Sequence, residues 1–119
     1  MSDSYEESKS YKVGADELFN YALSAVKAAG LDVDNRDINL GVIKASVATT
    51  MSKFGHDVEI TIMPEGQHRS KISVTCSTRY VLARLDPFGR FRKEEQKRVA
   101  KLFTALDFIV QRASVAKGS

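Results

Sequence analysis

Three stretches in the middle of the chain alternate apolar and polar residues one by one. In residues 42–50, Ile43, Ala45 and Val47 fall on one side and Lys44, Ser46 and Ala48 on the other. Val58, Ile60 and Ile62 alternate with Glu59, Thr61 and Met63, and Ile72, Val74 and Cys76 alternate with Lys71, Ser73 and Thr75. A period of two puts successive side chains on opposite faces of a strand. Strands buried on both faces read instead as unbroken apolar runs. The pattern therefore demands a sheet with one wet face and one dry face, and something apolar must cover the dry one.

Two helical segments supply that cover. Phe19, Ala22, Leu23 and Val26 recur at helical spacing after an acidic start at Asp16 and Glu17, and Gly30 stops the helix as a left-handed cap. Near the end, Val99, Leu102, Phe103, Leu106, Ile109 and Val110 form an apolar stripe more than four turns long. Residues 8–13 and 31–34 are short strand candidates. Pro64-Glu65-Gly66-Gln67 reads as a turn. Short connections favour an antiparallel meander. The expected fold is α+β: a two-layer sandwich in the order β-α-β-β-β-β-α, with a five-stranded, mainly antiparallel sheet and two helices on one face. At 119 residues there is room for one domain, read as residues 8–113 between flexible tails at 1–7 and 114–119. The polar, acidic start is not a secretory signal, and no apolar run reaches the ~20 residues of a membrane span. The chain reads as soluble and cytoplasmic.

Chemistry-bearing residues are sparse. Cys76 is the single cysteine, in phase with Ile72 and Val74, and reads as a small core residue rather than a nucleophile. His56 and His68 fall in connections at opposite ends of one strand and should not share a site. His56 and Asp57 point to opposite faces, and no third ligand is in sight, so neither a metal nor a cofactor is expected. No catalytic residue is assigned.

The segment between the last strand and the last helix stands out. It mixes Arg79, Arg84, Arg90 and Arg92 with Tyr80, Leu85, Phe88 and Phe91, whereas connecting loops are usually polar. Residues 79–101 carry a net +5, against +3 for the whole chain. The bland reading is that the apolar groups cap the core or prolong the strand, and that the charges form a solvated helix face. The functional reading is a contact surface for a protein, a second copy giving a homodimer included, or for an anionic membrane surface. Nucleic acid is disfavoured, because the strand faces offer no aromatic platform and the net charge is small.

The middle of the chain also resembles a bacterial family of unknown function. The matching stretches are Gly41-Val42-Ile43-Lys44-Ala45 with Ala48-Thr49-Thr50, Phe54-Gly55-His56-Asp57-Val58, Val74 to Arg79, and Asp86-Pro87-Phe88-Gly89. His56-Asp57 stands where the family has paired acids, and Thr78 where it has serine. The resemblance implies a helix-grip-like domain and brings no activity with it. Together these features lead to an expected non-enzymatic binding module that acts through Arg79, Tyr80, Arg84, Leu85, Phe88, Arg90, Phe91 and Arg92. The alternative is a carrier of a small apolar ligand in a groove between sheet and last helix, lined by Phe19, Phe103 and Leu106.

Overall fold

In a computed structural model, residues 4–47, 55–78 and 90–118 are described. They form β1 (Ser4–Tyr11), α1 (Ala15–Ala28), β2 (Asp32–Asp37), β3 (Val42–Val47), β4 (His56–Gly66), β5 (Arg69–Thr78) and α2 (Arg90–Gly118). The five strands make one sheet in the order β1-β5-β4-β3-β2, and every neighbouring pair is antiparallel. The expected order of elements and the α+β class both hold.

The dry face is built from cross-strand rows. Ile43 pairs with Ile60, and Ile60 with Val74; Ala45 pairs with Val58, and Val58 with Cys76. All six side chains are buried, while Lys44, Asp57, Glu59 and Lys71 between them are exposed. Val99, Leu102, Phe103 and Leu106 of α2 and Leu18, Phe19, Ala22, Ala25 and Val26 of α1 close over these rows in one core. Each buried aliphatic side chain contributes about 1.5–3 kcal/mol, before the entropy of ordering it is set against that gain. The small residues of α1 let the two helices approach closely.

Helix α1 ends as its glycine dictates. Gly30 has φ 83°, its N–H donates to the Lys27 carbonyl, and the Leu31 N–H donates to the Val26 carbonyl, both at 3.0 Å. This paired closure satisfies two carbonyls that a helix end leaves open, and buried Leu31 packs beneath it. At the other edge of the core, Lys9 of β1 ion-pairs with Asp107 of α2 at 2.8 Å, and the Tyr11 hydroxyl donates to the same carboxylate at 2.6 Å.

Several boundaries differ from the sequence reading, each for a physical reason. Strand β1 starts at Ser4, not residue 8, pairing Ser4 with Ser77 through Tyr11 with Ser70. On its core side Glu7 and Lys9 stand between Tyr5 and Tyr11, so this edge strand shows no clean apolar alternation to read. Strand β2 runs on to Asp37, where Asp37 Oδ1 accepts the N–H groups of Asn39 and Leu40 and turns the chain. Pro64 lies inside β4, and the turn is at Gln67 and His68. Alternate N–H groups of a strand face the same neighbour. That of Ile62 meets Gly41 just before β3 begins, so the N–H that Pro64 lacks would face past the end of β3. Helix α2 continues to Gly118, past residue 113.

Gly41 is the tightest backbone position. Its φ is 69°, and its carbonyl accepts the Ile62 N–H at 2.7 Å. A Cβ there would collide with the Ile62 carbonyl oxygen, whereas one at Gly30 would meet nothing. Gly41→Ala should therefore cost about 3 kcal/mol and Gly30→Ala about 1 kcal/mol in urea unfolding. Equal losses would mean that only the left-handed conformation matters.

Candidate functional site

The apolar pattern of the dry face breaks at one end. His56, the first residue of β4, continues the phase of Val58, Ile60 and Ile62 and is buried. It pairs directly with Thr78, which continues the phase of Cys76. Above them, Glu95 stands four residues before Val99 and seven before Leu102, so it occupies the core-facing stripe of α2. Both His56 and Glu95 are only 2% exposed. A polar group held this deep costs several kcal/mol unless hydrogen bonds replace its water.

The bonds are specific. Glu95 Oε2 accepts the Thr78 backbone N–H at 2.8 Å and the Thr78 hydroxyl at 2.7 Å. Arg98 Nε–H donates to His56 Nδ1 at 2.9 Å. A guanidinium can only donate, so Nδ1 presents its lone pair and the imidazole is neutral with its proton on Nε2. Cys76 lies one row further in. Burial pushes its thiol up to about 12, with the Glu95 charge adding to the rise, Arg98 opposing it and Asp57 adding a smaller push. The end of the interface thus offers a carboxylate-class acceptor, a guanidinium, a neutral imidazole and a hydroxyl beside an apolar wall.

Of the residues singled out in the sequence, Arg79, Tyr80, Arg84, Leu85 and Phe88 lie outside the described residues. Arg90, Phe91 and Arg92 form the first turn of α2. Phe19, Phe103 and Leu106 are buried in the core between the sheet and the helices. The two histidines are apart as expected: His56 starts β4 and His68 sits in the turn after it. His56 is not a loop residue, however, because β4 begins two residues earlier than its apolar alternation suggests. Among the described residues no three His, Cys, Asp or Glu side chains gather as metal ligands, and no helix is long and apolar enough to cross a membrane.

Other concavities carry less chemistry. A cleft of about 360 Å³ lies between α1, the far half of α2 and the β4–β5 turn, lined by Lys12, Tyr21, His68 and Val110 among others. Its polar groups are exposed or, like the Tyr21 hydroxyl on Glu17, engaged at the surface. A cleft of about 300 Å³ beside Phe19 is rimmed by exposed Leu40 and Met63.

No family model and no curated protein matches the sequence, so the likeness to a bacterial family of unknown function is not confirmed. Solved structures do match. The di-domain aromatase/cyclase BexL superposes with a TM-score of 0.69 at 11% identity, over 92% of this chain and 47% of that one. This chain thus spans about half of that protein. Ara h 8.0201 gives 0.59 at 11% identity over 91% and 97% of the two chains. The Zhui aromatase/cyclase of a Streptomyces strain gives 0.50 at 13% identity over 96% and 87%. The chain has the helix-grip fold of these proteins. The expectation that it lacks enzyme activity is corrected by the same finding, because two of the three are aromatase/cyclases and the fold therefore hosts catalysis.

A thiol pushed up by burial holds its proton more tightly in the folded chain than in the unfolded one. Its contribution to stability is full below the ordinary value of 9.0 and is lost as pH rises toward about 12. Tyr11, raised by burial and by its bond to Asp107, acts in the same direction. The melting temperature should fall from about pH 9 upward, and Cys76→Ala should flatten the first part of that fall. At about pH 8, iodoacetamide should modify Cys76 at least ~100-fold more slowly than free cysteine. Modification at the free rate would place the thiol at the surface.

Proposed function

We propose that the domain binds a small, largely apolar molecule where the sheet meets the first turns of α2. The apolar body would rest against the dry face, and Glu95, Thr78, His56 and Arg98 would meet its polar end. The observation that carries this reading is the buried polar cluster itself. Two ionisable side chains occupy positions where the sheet and helix patterns call for apolar ones, at a cost that a purely structural core avoids. The shared fold with aromatase/cyclases supports the same choice. It favours an interior ligand over the contact loop at residues 79–92.

A second reading, catalysis on the bound molecule, is favoured by the presence of two groups able to hold or move a proton, Glu95 and His56, in one hydrogen-bonded layer. Arg98 beside them could stabilise a developing oxyanion.

The neutral fluorophore N-phenyl-1-naphthylamine provides the test. It should bind at one site per chain and shift the amide signals of His56, Cys76, Thr78, Glu95 and Arg98, leaving those of Tyr21 and His68 in place. Native mass spectrometry of protein purified from its own cells should show a co-purifying small molecule. Absent binding, or shifts confined to the Tyr21–His68 cleft, would overturn the reading. Turnover of the co-purified molecule that disappears in Glu95→Gln, with fluorophore binding retained, would make the protein an enzyme.

A further inference from the structure

Among the described residues, Arg98 is held along one edge. A guanidinium has two edges that can form paired hydrogen bonds: the Nε side, and the end formed by its two Nη groups. The Nε–H is committed to His56 Nδ1 at 2.9 Å. That bond fixes the plane of a side chain that is itself partly buried. Among the described residues, no acceptor takes the Nη groups. The two ion pairs formed there, Lys9 with Asp107 and Arg69 with Glu65, lie elsewhere. Glu95, three residues earlier on α2, spends Oε2 on Thr78. Asp57 begins on the wet face of β4, because its phase is opposite to that of His56.

The charge around this edge is unusual for a helix start. Residues 90–101 contain Arg90, Arg92, Lys93, Lys97, Arg98 and Lys101 against Glu94 and Glu95, and the first turn of α2 holds no acid. Helix N-termini favour acids, since the macrodipole is positive there. A basic first turn works against the helix and raises the local positive potential, which draws anions in. A partly buried, pre-oriented guanidinium edge within that field suits a planar, singly charged oxyanion, which accepts two parallel hydrogen bonds.

We propose that Arg98, positioned by His56, anchors the carboxylate of an amphipathic carboxylic acid whose apolar tail lies along the dry face. This rests on the reading that the site binds an apolar molecule, and it names the class: acids rather than alcohols, esters or hydrocarbons. His56 acts as a positioning residue here, since its lone pair orients the guanidinium and it touches the ligand through nothing else that the proposal requires.

The experiment is displacement of bound N-phenyl-1-naphthylamine by decanoate and by decanol at neutral pH. Decanoate should displace the fluorophore at a concentration at least ~10-fold lower than decanol, in line with a charge-assisted bidentate pair. Arg98→Gln keeps a donor for His56 Nδ1 and should bring the two displacers within about twofold of each other by weakening decanoate alone. Arg98→Lys should restore part of the preference, and His56→Ala should lower it with the charge still present. Lys101→Gln removes an exposed cation of the same helix and should leave both values unchanged. Equal displacement by acid and alcohol in the unmodified protein would overturn the carboxylate assignment while the site itself stands. A preference that falls equally in Lys101→Gln would overturn Arg98 as the anchor, leaving only the general field. A fluorophore that does not bind at all would remove the underlying site and this inference with it. Unfolding midpoints of the Arg98 variants within a few degrees of the parent separate lost recognition from lost fold.

Discussion

The contact between the dry face of the sheet and the stripe of α2 is what the rest of the molecule depends on. The sheet cannot bury its Ile43–Ile60–Val74 and Ala45–Val58–Cys76 rows alone, and α2 cannot bury Val99, Leu102, Phe103 and Leu106 alone. Their union removes both from water, a drive that scales with apolar area and has no direction of its own. Direction comes from the edges. Asp107, held by Lys9 and Tyr11 of β1, fixes how α2 lies across the sheet. Gly41, whose left-handed turn brings its carbonyl against Ile62, fixes where β3 meets β4.

The helix is therefore secured unevenly. Its middle packs on the apolar rows and on α1, and Asp107 clamps it to β1. Among the described residues, its start is tied to the sheet by Glu95 and Arg98, two long side chains whose hydrogen bonds replace hydration rather than add much net stability. A polar layer of this kind is a weaker fastening than an apolar one of equal size, and it demands complete pairing. Such a layer is a poor choice for holding a core together and a good one for recognising a polar group inside it.

The dry face was readable from the sequence because burial on one side imposes a period of two, and Val58, Ile60 and Ile62 keep to it without exception. The stripe of α2 was readable for the same reason at a period near 3.6, and Gly30 announced the end of α1 through the one backbone conformation glycine alone adopts freely. Edge strand β1 was not, since Glu7 and Lys9 interrupt Tyr5 and Tyr11 on its core side and blur the alternation. The site escaped for a subtler reason. His56 and Glu95 obey the periodicities of their elements but break the chemistry those periodicities select for. A polar residue in phase with a buried row looks like a boundary, so the sequence points His56 to a connection and the charges of residues 79–101, Glu95 among them, to a solvated helix face. Phase, not polarity, is what places both inside.

The same reasoning separates fold from function here. The apolar rows and the stripe would suit any protein of this architecture, and at 11–13% identity to its structural neighbours little beyond such patterning is shared. This chain departs from that patterning at one end of the sheet–helix interface, where positions in phase with the apolar rows carry polar side chains. In this chain they are one position on β4, one on β5 and two on α2, joined in two hydrogen-bonded pairs, His56 with Arg98 and Thr78 with Glu95. Each pair bridges the two layers. Any molecule that enters between them must exchange bonds with a strand and a helix at once, so the energy of that exchange is felt by both layers. Under the proposed reading, recognition and the seating of α2 are coupled.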